Sequence, residues 1–242
     1  MLETLKKLLH GFPYLLSHPQ QLKRLIVRET LYRRRYRNKQ QWVEWQKYGC
    51  SRHIQMMQEH PDTINTSALN SARIKIFSAI IGRIGKSLTV LDVGAGDGVI
   101  SGPISKMGND VISIELPKIA IIAHECGVPS VVASDAEHLT FASNSFDVVI
   151  ASEVLEHLWN PHNFFDEADR VLKDGGYLLI ETPEGEGSLL YDDHKNFFTV
   201  ESVKQVLGAN FTLCEVERLA ATGCAQTPTI ILLLQKASSK KA

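Results

Sequence analysis

The chain has 242 residues, of which 44% are hydrophobic and 22% are charged, and its formal net charge is −1. These values are ordinary for a soluble globular protein, and they leave enough apolar material for one full-sized domain plus an extension. The four cysteines show neither a C-x-x-C pair nor a regular spacing, which argues against a disulfide framework and favours reduced thiols in a cytoplasm.

The charge is distributed unevenly along the chain. Residues 1–60 hold 12 Lys or Arg and 4 Asp or Glu, whereas residues 61–242 hold 14 and 23. A basic arm on an acidic domain indicates contact with an anionic partner or surface, or else a solvated helical face that pairs with the acidic body. Because His10, Gly11 and Pro13 interrupt the first apolar stretch, we predict neither a signal peptide nor a membrane span. We expect a cytoplasmic protein, with peripheral binding to an anionic membrane as an alternative.

Two helices are predicted over residues 1–10 and about 20–47. A third is predicted to begin at a cap formed by residues 65–67 and to run to about Arg83. The second helix ends in the basic run 33–37, and such a helix can lie on an anionic membrane or cover an active site as a lid. We therefore divide the chain into a basic helical extension or cap (1–64), an α/β domain (65–236) and a polar tail (237–242).

From Leu88 onward the pattern alternates between strands and helices, which predicts a parallel sheet. The first strand ends in an acidic residue, Asp92, and opens into a turn with glycine at alternate positions, Gly94, Gly96 and Gly98. Such a turn lets backbone N–H groups approach a ligand closely, because no Cβ atom stands in the way. A glycine triplet alone is also compatible with an ordinary tight turn.

The residues around the turn select the class of ligand. A dinucleotide fingerprint would place its third glycine at 97 or 99, where this chain has Asp97 and Val99. The Asp92 carboxylate would repel a pyrophosphate but would attract an ammonium or a sulfonium group. S-adenosylmethionine carries both of these cations and has no phosphate, so the pattern favours it over a nicotinamide dinucleotide.

Three further strands are predicted, and each ends in polar residues. Residues 110–115 end in Glu115, whose distance from Gly94 suits an acid that binds a ribose diol, although such an acid can also cap the next helix. Residues 131–137 and 146–153 form the third and fourth strands. Because open α/β sheets bind ligands at the carboxyl ends of their strands, we expect these polar residues to surround one site.

These motifs together resemble those of a known family. The chain resembles the class I S-adenosylmethionine-dependent methyltransferases in their successive motifs, at residues 90–98, 114–115, 134–141 and 145–158. It is also similar to a later motif of this family, a Gly-Gly turn, at residues 171–183. The resemblance covers residues 85–236. It implies a Rossmann-like α/β fold with a seven-stranded, mostly parallel sheet, an antiparallel last strand and helices on both faces. Residues 211–218 and 229–235 are similar to the strand pair that closes this sheet.

The resemblance also implies a cofactor site. Asp92 is expected to face the methionine end of S-adenosylmethionine, Glu115 the ribose diol, and Asp135 with Ala136 the adenine. The full set of predicted cofactor-binding residues is Asp92, Gly94, Gly96, Gly98, Glu115, Asp135, Ala136 and Glu153.

A cluster of titratable residues follows the fourth strand. Glu153, Glu156 and His157 have the spacing of one helical face, and His194 lies in the loop after the fifth strand, at the same edge of the sheet. Three interpretations remain open: a charge cluster that orders loops, a catalytic base at His157 or His194 assisted by Glu156, or a divalent metal site formed by all four.

The Glu-x-x-Glu-His run with a later histidine resembles the small-RNA 2′-O-methyltransferases, and Glu-His after the fourth strand is shared with the ubiquinone-pathway O-methyltransferases. The chain lacks the dedicated RNA-binding region of the former, so nucleic acid is not an expected partner. It also carries Pro183-Glu184 where many relatives have Pro-Asn.

The leading hypothesis is therefore an S-adenosylmethionine-dependent methyltransferase that acts on a hydroxyl of a small molecule, lipid or glycan. The alternatives are a non-catalytic module that binds S-adenosylmethionine and a metal-assisted RNA 2′-O-methyltransferase.

Overall fold

The computed structural model describes residues 38–59, 68–128, 130–191, 193–220 and 227–238. The helix predicted at residues 1–10, the basic run 33–37, the cap at 65–67 and the last part of the polar tail lie outside the described residues. The described part of the second predicted helix begins at Lys39 and continues to Glu59, well beyond the expected end near residue 47. The helix continues through Gly49, where a Cβ atom would lie 3.8 Å from Asp193 Oδ2.

From the second helix onward the described helices and strands mostly alternate, except that β3 is followed by β4 and β6 by β7. The helices are α1 Lys39–Glu59, α2 Ala68–Ile84, α3 Ser101–Lys106, α4 Pro117–Glu125, α5 Pro161–Val171 and α6 Val200–Leu207. The strands are β1 Thr89–Val93, β2 Asp110–Glu115, β3 Val131–Ala133, β4 Phe146–Ser152, β5 Leu172–Pro183, β6 Phe211–Leu219 and β7 Thr229–Lys236. Short 3-10 turns span Leu155–His157, Glu186–Leu190 and Gly208–Asn210.

The seven strands form one sheet in the order β3-β2-β1-β4-β5-β7-β6. Strand β7 runs antiparallel to both of its neighbours, and the other neighbouring pairs are parallel. This topology confirms the predicted Rossmann-like sheet with an antiparallel last strand. The strand order reverses between β1 and β4, and ligands of open α/β sheets bind in the crevice at such a switch point.

The sheet is buried on both faces, which explains the nearly continuous apolar runs of its central strands. In β4, Val149 and Ala151 face one hydrophobic core, while Val148 and Ile150 face the other. The first core is covered by α5 and α6, and the second by α2 and α3. The helices thus hold the carboxyl ends of β1, β2, β4 and β5 at a common edge.

None of the helices within the described ranges combines the length and the apolar character needed to cross a membrane.

Candidate active site

The glycine turn after β1 adopts a backbone that favours glycine. Gly94, Gly96 and Gly98 have φ angles of +70°, +56° and +79°. A Cβ atom on Gly94 would lie 2.6 Å from Val154 Cγ2, and one on Gly98 would lie 2.9 Å from Val128 Cγ2. A Cβ atom on Gly96 would meet nothing within 4 Å. The turn therefore packs on its flanks and is open at Gly96, which is where a ligand can approach the backbone.

The Asp92 side chain is buried directly below this turn, with 2% of its surface exposed. Its Oδ2 atom has no hydrogen-bond partner among the described residues. Burial raises the pKa of Asp92 to about 7, and the neighbouring Glu115 charge acts in the same direction, while hydrogen bonding from Ser101 opposes it. A buried, unpartnered carboxylate oxygen beside an open glycine turn fits a ligand that brings an ammonium group.

Glu115 holds the glycine turn in place. Its Oε1 accepts a hydrogen bond from the Gly96 N–H at 2.9 Å, and its Oε2 accepts one from the Leu116 N–H at 3.1 Å. The second bond comes from Leu116, the N-cap residue of α4, and this helix start has no side-chain cap hydrogen bond, so the structure does not show Glu115 as the cap of α4. Carboxylate oxygens have further lone pairs, so the same side chain can also accept from ribose hydroxyls. That role remains a prediction.

The predicted adenine-binding residues lie beneath the start of α1. Asp135 Oδ1 accepts a hydrogen bond from the Glu137 N–H at 2.9 Å, and Lys39 Nζ lies 2.8 Å from Asp135 Oδ2 and 3.1 Å from Glu137 Oε2. Glu137 is buried and also binds backbone N–H groups at the start of α5. Lys39 could not be predicted from the sequence, because no local motif connects it to these acids.

The predicted helical face of Glu153, Glu156 and His157 is wrong. Glu153 has a left-handed backbone, with a φ angle of +56°, and only the 3-10 turn Leu155–His157 follows it. This bend lets Val154 pack against the glycine turn. As a consequence the two acids diverge. Glu156 is fully buried and accepts a hydrogen bond from Thr182 Oγ1 at 3.0 Å, whereas Glu153 lines a cavity.

The structure brings His157 and His194 together. Their rings pack edge to face, with centroids 4.8 Å apart. His157 Nδ1 lies 2.7 Å from the Asp193 carbonyl oxygen, and His194 Nδ1 lies 2.8 Å from Ser188 Oγ. The loops after β4 and β5 thus deliver one imidazole each to the same edge.

Three of the four residues of the predicted metal site form a compact donor set. Glu156, His157 and His194 each offer one ligand atom, and these atoms lie within 4.8 Å of one another. Glu156 Oε1 has no hydrogen-bond partner among the described residues, and burial raises the pKa of this carboxyl to about 8. Two imidazoles and a carboxylate suit a borderline divalent cation, whose charge would keep Glu156 ionised. Glu153 is not part of this set among the described residues.

A cavity of about 170 Å³ opens beside His194, at the carboxyl ends of β4 and β5. Tyr191 stacks on His194 there, with ring centroids 4.7 Å apart. Burial raises the pKa of Glu153 well above its ordinary value, and the nearby carboxylates of Glu156 and Glu181 add to this effect. The cavity is lined by Arg73, Glu153, Pro183, Tyr191, His194, Thr227 and Thr229.

Arg73 is a further candidate for the site that was not predicted from the sequence. It reaches from α2 to the sheet edge, where Nε lies 2.8 Å from the Glu181 carboxylate and Nη2 lies 2.6 Å from Ser152 Oγ. The only local signal is its pairing with Asn70, one helical turn earlier, at 3.1 Å. A guanidinium in this cavity is suited to bind a carboxylate or another acidic oxygen of a ligand.

Comparison with known proteins finds a family match for the middle of the chain. Residues 91–180 match the family model described as a methyltransferase domain. A ubiquinone biosynthesis O-methyltransferase of Xanthomonas oryzae pv. oryzae is 35% identical over 122 residues, which cover 48% of this chain and 50% of that protein. One from Azorhizobium caulinodans is 32% identical over 103 residues, which cover 40% of this chain and 41% of that protein. The chain thus spans about half the length of these relatives or less.

The fold is also found among solved structures. The 1,6-didemethyltoxoflavin-N1-methyltransferase of Burkholderia thailandensis, with bound 1,6-didemethyltoxoflavin and S-adenosylhomocysteine, has a TM-score of 0.61 at 20% identity. The alignment covers 81% of this chain and 90% of that one, and at this identity it shows a shared fold. The family match contains every predicted cofactor-binding residue, from Asp92 to Glu153. Residues 91–180 thus match a methyltransferase domain, and this match and the structural neighbour with bound S-adenosylhomocysteine support S-adenosylmethionine as the methyl donor.

Proposed function

We propose that this protein methylates a hydroxyl oxygen of a small molecule. The observation that carries the proposal is the His157–His194 pair, of which His194 lines a cavity, at the same sheet edge as the glycine turn and the buried Asp92. When bound, S-adenosylmethionine would supply an electrophilic methyl group on a sulfonium. The protein's task is then to orient a nucleophile in line with that methyl group and to remove its proton.

Several residues at this edge of the sheet have proposed roles in binding the cofactor. Asp92 would accept a hydrogen bond from the ammonium group, Glu115 would bind the ribose diol, and Asp135 with the Ala136 backbone would bind the adenine. Arg73 is the nearby cation suited to the carboxylate of the methionine moiety. Glu153 remains a candidate for the same end of the cofactor, although it lines the cavity beside Arg73 and His194.

The histidine pair favours oxygen over nitrogen as the atom that is methylated. A hydroxyl becomes a good nucleophile only as its proton leaves, and a positioned base typically accelerates such a step by about 10²- to 10⁴-fold. A neutral amine already presents a lone pair and has less need of the base. The names of the two relatives, ubiquinone biosynthesis O-methyltransferases, agree with oxygen as the acceptor atom.

The cavity bounds the size of the group that reacts. A dry cavity of about 150 Å³ is known to hold one benzene molecule, so the 170 Å³ found here is suited to one ring or a group of similar size. The rest of an acceptor can extend outside the cavity. The proposed acceptor can therefore also be a lipid or a glycan that presents one such group.

A second mechanism for the same reaction uses a divalent metal ion. The observation that favours it is the compact donor set of Glu156, His157 and His194, with its unpartnered buried oxygen. Such a cation would bind the acceptor oxygen and lower its pKa, so that no histidine would have to take the proton.

The function can be tested by transfer of an isotopically labelled methyl group from S-adenosylmethionine to 3,4-dihydroxybenzoate, a one-ring probe with two hydroxyl groups. We expect the label in an O-methyl product, and none with 4-aminobenzoate as an amine control. Label on the amine alone would contradict oxygen methylation. Tight binding of S-adenosylmethionine without transfer to a broader panel of hydroxyl compounds would favour the non-catalytic alternative.

We also propose that residues 1–64 act as a cap over the acceptor side of this edge. The support is α1, from which Trp42 and Gln46 contact the His157 and Asp193 segments. Deleting residues 1–60 should leave the sheet folded, since β1 begins at Thr89 and Trp42 belongs to neither core. We expect the deletion to lower kcat/KM for the probe by roughly 10²-fold, because the edge loses its positioning contacts. The affinity for S-adenosylhomocysteine should change less.

The matched control is deletion of residues 1–37, which leaves α1 in place and removes nine Lys or Arg residues. The alternative role, docking on an anionic membrane, is tested by binding to vesicles that contain phosphatidylserine. Only this alternative predicts that the shorter deletion abolishes vesicle binding. If both deletions leave the probe kinetics and vesicle binding unaltered, the arm has neither role.

A further inference from the structure

Helix α1 contacts both halves of the candidate active site with a single face. Lys39, Trp42 and Gln46 are three and four residues apart and therefore lie on one side of the helix. Lys39 contacts the Asp135 carboxylate, Trp42 Nε1 donates to the His157 carbonyl oxygen at 2.6 Å, and Gln46 Nε2 donates to the Asp193 carbonyl oxygen at 2.8 Å. Both Trp42 and Gln46 are buried, with 1% and 6% of their surfaces exposed.

The Asp193 carbonyl oxygen is shared by two donors. It receives the Gln46 amide and lies 2.7 Å from His157 Nδ1. A carbonyl oxygen can only accept hydrogen bonds, so the Nδ1 atom must carry the hydrogen in this contact. The neutral His157 ring then has its lone pair on Nε2. The side chain of free neutral histidine prefers the opposite arrangement, with the hydrogen on Nε2.

The Nε2 atom faces the reactive cluster. It lies 4.0 Å from Glu156 Oε1, and the His157 ring meets the His194 ring edge to face. This is the nitrogen that would take a proton from an acceptor or bind a metal ion. Its availability therefore depends on the contact that Nδ1 makes with the Asp193 carbonyl oxygen.

Backbone contacts also hold this loop, and one of them acts on the same peptide group, because the His194 N–H donates to the Tyr191 carbonyl oxygen at a long 3.3 Å. The Lys195 and Asn196 N–H groups donate to the Glu156 carbonyl oxygen at 2.7 and 3.0 Å, which ties the two loops together. Among the described contacts, Gln46 is the donor other than His157 that reaches the Asp193 carbonyl oxygen. Trp42 fixes the backbone of the histidine itself.

We propose that Gln46 is a positioning residue for His157. By fixing the Asp193 carbonyl group, it holds the imidazole with its hydrogen on Nδ1 and keeps the Nε2 lone pair directed at the cluster. The inference rests on the proposed function for the use of that lone pair, whereas the preferred tautomer is a property of the chain alone.

The test is nuclear magnetic resonance of the full chain, labelled with ¹⁵N in histidine and saturated with S-adenosylhomocysteine. The two ring nitrogens of neutral His157, assigned by comparison with His157→Gln, report which atom carries the hydrogen. We expect the Nδ1–H form to dominate in the unmodified protein. In Gln46→Met and Gln46→Leu, which lack the donor, the ratio of Nδ1–H to Nε2–H should fall by roughly 3- to 10-fold, the effect of one ordinary hydrogen bond.

Both variants are made in parallel, and circular dichroism identifies those that fold, so that one folded variant is enough to decide. The control is Glu44→Gln on the outer face of α1, where the Glu44 side chain is 57% exposed, and it should leave the ratio unchanged. An unchanged ratio in a folded Gln46 variant, or an Nε2–H form in the unmodified protein, would overturn the proposal. Failure of the proposed function would show separately, as normal probe turnover in His157→Ala.

Discussion

Replacing His157 or His194 with alanine is expected to lower kcat for methylation of the hydroxyl probe by about 10²- to 10⁴-fold, the usual contribution of a general base. The two imidazoles pack against each other at 4.8 Å and come from loops that follow different strands. Each substitution removes a nitrogen from the edge where the acceptor is proposed to bind. Steady-state kinetics with 3,4-dihydroxybenzoate measure the effect, and calorimetry should show that S-adenosylhomocysteine still binds.

A histidine outside the cluster provides the control. His162 lies on the exposed side of α5, and His162→Ala should retain normal kcat. If His157→Ala and His194→Ala also keep near-normal turnover, the cluster orders loops and takes no part in the chemistry.

Chelation separates a base from a metal ion. If the histidines act as bases alone, prolonged treatment with EDTA should leave turnover unchanged. If Glu156, His157 and His194 bind a metal ion, chelation should abolish turnover, a divalent cation should restore it, and Glu156→Gln should be as damaging as either histidine substitution. Glu156→Gln keeps the shape of the side chain that contacts Thr182, so a loss of activity would not be explained by loss of volume.

The affinity for S-adenosylhomocysteine is expected to rise by roughly tenfold between pH 6 and pH 8, because an acid with a pKa of about 7 goes from about one-tenth to about nine-tenths ionised. Asp92 is that acid, since burial raises its pKa to about 7. Only its ionised form attracts the ammonium group of the ligand strongly. Asp92→Asn should bind more weakly and lose this part of the pH dependence, whereas Asp166→Asn on the exposed side of α5 should retain it. Calorimetric titrations at several pH values provide the comparison.

The same shift has the opposite effect on the ligand-free protein. The pKa of Asp92 is higher in the folded protein than its ordinary value of 3.8. Its contribution to the free energy of unfolding is therefore fully present below that ordinary value and is lost as the pH rises through about 7. Asp92→Asn should consequently gain stability relative to the unmodified protein between pH 6 and pH 8, as followed by thermal unfolding. A constant difference across this range would contradict the assignment of a raised pKa to this residue.

The parts of the site that the sequence predicted correctly are those set by local pattern. Alternate glycines after an apolar run define the turn at Gly94, Gly96 and Gly98, and apolar runs at regular intervals define the parallel strands. These features depend on backbone conformation and on burial within a few residues. The predicted fold follows from them, because the connections between parallel strands have few alternatives.

The parts that the sequence could not predict depend on distant contacts. Arg73 meets Glu181 across 108 residues, Trp42 meets His157 across 115, and Gln46 meets Asp193 across 147. No periodicity links such pairs. The error at Glu153 has a similar cause, since helical spacing suggested a shared face. The contact between Val154 and the glycine turn instead imposes a left-handed residue.

We propose that the cofactor binds at the glycine turn with its reactive end toward the histidine pair. A crystal structure of the full chain with S-adenosylhomocysteine would show its position. We predict that the amino group contacts Asp92, that the ribose hydroxyls contact Glu115, and that the sulfur faces the cavity between Arg73 and His194. A ligand whose sulfur points away from this cavity, or which binds elsewhere on the protein, would refute this placement.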